Sequence, residues 1–74
     1  MKKNKDIKEI FIKRFKELMK EKNVNCSKLS KVLGIPESTL SNWKNGNRTI
    51  QIDNLVLIAD FFEVSTDYLL GRED

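Results

Sequence analysis

Apolar residues recur along the chain at helical spacing, in groups separated by short polar stretches. Ile7, Ile10, Phe11, Phe15, Leu18 and Met19 keep the interval of three or four that lines one side of an α-helix, which predicts a helix over about 6–22. Asp6 and Glu9 near its start and Lys20 and Lys22 near its end complement the helix dipole. Cys26, Leu29, Val32 and Leu33 repeat the pattern in a shorter helix. Asn25 opens that helix, because its side chain can accept from the first free N–H groups. Gly34 closes it, since glycine tolerates the left-handed conformation common just past a helix end. Ile35 and Pro36 restart the chain, and a proline suits a first helical turn, where its missing N–H would be unpaired anyway. The helix that follows runs to about Asn45 and stops at Gly46. From Asp53 to Phe62 nearly every residue is apolar, which predicts a helix in the middle of a small protein. Ser65 then caps a last short helix, 66–70, closed by Gly71.

Two short helices joined by about three or four residues that include a glycine form a helix-turn-helix, here over about 25–46. On a wheel of about 100° per residue, Pro36, Leu40 and Trp43 fall together toward the core, with Thr39 at the edge. The other side carries Ser38, Ser41, Asn42 and Asn45, flanked by Glu37 and Lys44. Serine and asparagine each give up roughly a few tenths of a kcal/mol in a helix against lysine or glutamate. A face built from them is either an indifferent polar surface or one selected for contact. Short uncharged donors and acceptors are what reading base edges in a major groove requires.

Charge sharpens that choice. The net charge is +3, but residues 1–50 hold thirteen Lys and Arg against five acids, +8, while residues 51–74 hold one Arg against six acids, −5. A basic front and an acidic back suit a protein that turns one side to a polyanion. The loop Asn45-Gly46-Asn47-Arg48-Thr49 contains no acid, so beside a reading helix it becomes a phosphate clamp. The basic tip Met1–Lys5 is either a solvated end or an arm on DNA phosphates. One cysteine and no histidine exclude an internal disulfide, a metal-ligand cluster and a nucleophile–histidine pair, so neither catalysis nor a cofactor is expected. No apolar run approaches the roughly 18 residues of a membrane span and no signal peptide is visible, so a cytoplasmic location is expected. At 74 residues the chain is expected to be one domain, its core about 7–70.

The runs LSKVLGIPESTLSNWKNGNR and LVLIADFFEVSTDYLLG resemble the helix-turn-helix domains of the Cro and lambda-repressor type, the XRE family, over roughly Ile10 to Gly71. The resemblance implies an all-α, compact five-helix bundle of the lambda-repressor-like type. It also implies a homodimer on double-stranded DNA that usually represses transcription, with no small-molecule ligand evident. In that frame Glu37, Ser38 and Asn42, with Thr39 next, are the expected base contacts. Ser27, Lys28, Lys44, Asn45, Asn47 and Arg48 are the expected phosphate contacts. Phe62, Tyr68, Leu69 and Leu70 are the expected dimer interface, the alternative being that this apolar surplus is simply core. A protein-interaction module resembling an antitoxin is the second reading, weakened because no disordered toxin-wrapping tail is seen.

The chain also departs from the family pattern. Ser30 stands where alanine is usual, and Cys26 where a glutamine often holds a phosphate. Ile50 replaces a frequent proline, and Gln51 a serine or threonine cap, so the helix after it starts on a weak cap. Met19 and Lys44 occupy positions where many members pair an arginine with a glutamate.

Overall fold

The computed structural model describes the backbone of residues 4–73 and the side chains of 7–73. The side chains of the basic tip therefore lie outside the described residues, as does Asp74. Five helices follow one another: α1 (Asn4–Glu21), α2 (Cys26–Leu33), α3 (Glu37–Asn45), α4 (Ile52–Phe62) and α5 (Thr66–Leu70). There is no strand among the described residues. This is the all-α, lambda-repressor-like bundle that the resemblance implied. No described helix is long and apolar enough to cross a membrane.

The caps follow from the residues at the helix ends. Asn25 Oδ1 accepts from the Lys28 N–H at 2.9 Å and Ser65 Oγ from the Tyr68 N–H at 2.9 Å, each satisfying one of the orphan donors of a first turn. Gln51 makes no such bond, so α4 starts without a side-chain cap. Gly71 is needed twice over. Its φ of +80° disfavours any side chain, and a Cβ there would stand 2.8 Å from Ile10 Cδ1.

Phe15 occupies the centre, with Leu29, Leu40, Ile58 and Leu69 also fully buried around it. Its ring stacks on Phe11 at 5.4 Å between centroids and meets Trp43 of α3 and Phe62 of α4 edge-on at 6.5 and 6.3 Å. Through these rings α1 sets the rotation of α3, which decides the side α3 turns outward.

Two expectations change. Pro36 is exposed, and Ile35 is buried in its place. Pro36 is the N-cap of α3, with extended backbone at ψ 141°, so the helical wheel does not yet apply to it. α4 is not enclosed on all sides. Leu55, Ile58, Ala59 and Phe62 are buried, but Val56 and Leu57 are exposed and Ile52 is 83% exposed. The short α5 covers only one face of α4. The segment after α5 is held to α1 as far as Glu73. Arg14 Nη1 donates to the carbonyls of Tyr68 at 2.6 Å and Glu73 at 2.7 Å, and its guanidinium lies 4.4 Å over the Tyr68 ring. Ser65 Oγ donates to the Glu73 carboxylate as well. Arg14 was not foreseen, although it interrupts the apolar stripe of α1 between Phe11 and Leu18, a position that calls for a partner.

Candidate nucleic-acid interface

α3 is anchored from beneath by Leu40 and Trp43, both buried. That anchoring fixes its outward face. Glu37 and Ser38 are exposed at its start, and Asn45 is exposed at its end. Thr39, Ser41, Asn42 and Lys44 are half-buried between them. Asn45 Nδ2 donates to Ser41 Oγ at 3.4 Å, a weak local bond that leaves the amide oxygen of Asn45 free. Glu37 is the acidic residue of the first turn, where it complements the helix dipole whether or not it meets a base.

The loop after α3 is fastened to that helix. Gly46 takes φ +78° to end it, and the N–H groups of Asn47 and Arg48 both donate to the Asn42 carbonyl, at 2.9 and 3.4 Å. Arg48 is therefore positioned by the backbone of the residue expected to read a base. Arg48 also lines a cleft with Thr39, Gln51 and Asn54. At the start of α4, Gln51 is read from sequence only as a weak cap, and Asn54 is not singled out there. Asn54 is the single uncharged polar residue within α4, and that was the available signal.

Asn25 occupies the Lys28 N–H, so of the backbone donors at the start of α2 the N–H groups of Cys26 and Ser27 remain for an anion. Ser27 is half-buried and Lys28 exposed. The ion pair found among the described residues is Arg72 with Asp67, 3.9 Å apart. Lys28, Lys44 and Arg48 thus keep their charge uncompensated within the chain, and their potential is available to a polyanion.

The expected dimer residues separate. Phe62, 2% exposed, and Leu69, fully buried, belong to the chain's own core and present no free face. Tyr68 is half-buried under Arg14, and Leu70 is half-buried. The exposed apolar surface in this part of the chain is instead Ile52, Val56 and Leu57 of α4.

Five helices with a glycine-hinged α2–α3 pair and an uncharged polar outer face on α3 define an XRE-type helix-turn-helix domain. The chain belongs to that family: a helix-turn-helix family model matches residues 15–69. It is similar to three proteins of Bacillus subtilis (strain 168). The HTH-type transcriptional regulator AnsR is 38% identical over 60 residues, 81% of this chain and 52% of that protein. The HTH-type transcriptional regulator ImmR is 32% identical over 62 residues, 84% of this chain and 49% of that protein. The uncharacterized HTH-type transcriptional regulator YobD is 28% identical over 65 residues, 88% of this chain and 58% of that protein. The chain spans about half the length of these curated relatives. No solved structure matches it.

Proposed function

We propose that the chain binds double-stranded DNA in a sequence-specific way and regulates transcription, as a homodimer that represses by covering a palindromic operator. The observation that carries this reading is the outer face of α3, polar and uncharged over Ser38, Ser41, Asn42 and Asn45 and bordered by the unpaired cations Lys44 and Arg48. Family membership and the printed names of the similar Bacillus proteins support it. In this reading α3 enters the major groove. Asn42 faces an adenine with two hydrogen bonds, Glu37 accepts from a cytosine amine, and Ser38 and Thr39 read neighbouring bases. Ser27, Lys28, Lys44, Asn45, Asn47 and Arg48 hold the backbone on either side. Two copies place their reading helices about 34–36 Å apart, one turn of DNA.

Fluorescence anisotropy on a site selected from a random DNA pool tests the assignment. Asn42→Ala is expected to weaken the selected site by about 1–3 kcal/mol and leave random DNA nearly untouched, while Arg48→Ala weakens both together. Equal losses for Asn42→Ala on both DNAs would remove Asn42 from the reading face. No binding of the unaltered protein to any duplex at low salt would overturn the function itself.

The proposed dimer contact shifts from the buried Phe62 and Leu69 to the outer side of α4, with Leu70 and Tyr68 at its margin. A lysine at the exposed Val56 adds a charge to an apolar contact without disturbing the core. Val56→Lys is expected to give a folded monomer in sedimentation, with weaker binding to a two-half-site operator and unchanged binding to a single half-site. A variant that dimerises as before would exclude this face.

A further inference from the structure

The second half of α1, the start of α2 and the end of α3 border a groove of about 500 Å³ beside the reading helix. Lys16 and Lys20 of α1 and Lys44 of α3 line it, together with Asn25, Asn45 and the buried Met19. Lys16 and Lys20 are four residues apart, so they stand one above the other on the same side of α1. No carboxylate lines the groove. Lys16 also borders the neighbouring depression, which Glu9, Lys13 and Glu17 line, and Glu21 is exposed. Among the described residues, no carboxylate comes within 4.0 Å of any of the three ammonium groups. Asn25 adds a donor, because its oxygen is used by the Lys28 N–H while its amide N–H groups make no hydrogen bond among the described residues.

Lys44 is half-buried and shares the groove with Lys16 and Lys20, so three like charges border one depression. An anion seated between the lysines is attracted by all three. Met19 contributes no charge to compensate them, so the groove is left net positive, and Asn45 joins it directly to the end of the reading helix.

We infer that Lys16, Lys20 and Lys44, with the Asn25 amide, seat one phosphate of the bound duplex, so that the DNA footprint extends from α3 onto α1. The inference rests on the DNA-binding reading above and deepens it. A phosphate on the groove can come from the duplex or from solution, and the test separates the two sources.

The first arm follows DNA affinity against salt for the unaltered chain, for Lys16→Gln with Lys20→Gln, and for Lys13→Gln with Lys31→Gln as a control of equal charge. One phosphate lost lowers the slope of log K against log salt by about 0.9. The groove pair is expected to lose that slope and at least about tenfold in affinity at low salt, on selected and random DNA alike, and the control is expected to lose much less. Equal losses for both pairs would show only a general charge effect, and no loss for the groove pair would show that α1 is off the DNA. Either result overturns the inference while the unaltered protein still binds DNA, which leaves the proposed function standing. The second arm titrates inorganic phosphate against backbone amide resonances. Millimolar shifts at Met19, Asn25 and Lys44 that vanish in the groove pair support a phosphate seat. Such shifts without any change in the DNA slope would make the groove a site for free phosphate and overturn its assignment to the duplex.

Discussion

Phe15→Ala is expected to leave the protein largely unfolded near its normal melting range. Phe15 is fully buried and its ring contacts Phe11, Trp43 and Phe62, so it is where α1, α3 and α4 meet. Removing a buried phenyl ring costs about 3–5 kcal/mol, with the lost edge-on and stacked pairs pushing toward the upper end. A chain of 74 residues has a total stability of roughly 4–11 kcal/mol at the usual ~0.05–0.15 per residue. The loss is therefore a large share of the whole, equivalent to a fall in Tm of at least about 12 °C for a domain this small. Val32→Ala, on the exposed side of α2, should stay within about 0.5 kcal/mol of the unaltered chain. Thermal melts followed by circular dichroism compare the two. Similar small shifts for both would mean that the core is not organised on Phe15.

The helices were legible because their signals are local. Asn25, Gly34, Gly46, Ser65 and Gly71 each end or begin a helix through chemistry within a few residues, and the structure uses all five as caps. Leu40 and Trp43 were placed in the core by periodicity alone. What was lost depends on contacts distant in sequence. A wheel assumes that every residue is helical, and Pro36 fails because its own backbone is extended. A nearly all-apolar segment such as 52–62 carries no periodicity to show which side is covered, so the exposure of Val56 and Leu57 and the burial of Phe62 depend on where α5 comes to lie. Arg14 is the clearest case of this. Its partners are the Tyr68 and Glu73 carbonyls, 54 and 59 residues away, and no local pattern announces them. Of the candidate interface, the identity of the α3 face was visible in the residues. The fastening of Arg48 to the Asn42 carbonyl, the approach of Gln51 and Asn54, and the convergence of α1 lysines on Lys44 follow only from the fold.

Met19→Arg is expected to destabilise the protein by several kcal/mol, and Lys44→Glu in the same chain is expected to recover most of that loss. Met19 is 5% exposed and lines the same groove as Lys44, so an arginine there is a buried cation facing a half-buried one. An uncompensated buried charge costs about 3–5 kcal/mol. The double change places an oppositely charged pair across α1 and α3, the pairing that the family resemblance implies at these two positions. Lys44→Glu alone should alter stability little, since it relieves the crowding with Lys16 and Lys20, yet it should weaken DNA binding by removing one phosphate contact and adding a repulsion. The double variant is then expected to melt near the unaltered protein and still bind DNA poorly. The melting temperature and DNA affinity of the four combinations separate the two effects. If the two changes add within about 0.5 kcal/mol in stability, the side chains at 19 and 44 do not meet, and the flexible Met19 does not support the end of the reading helix in the way its burial indicates.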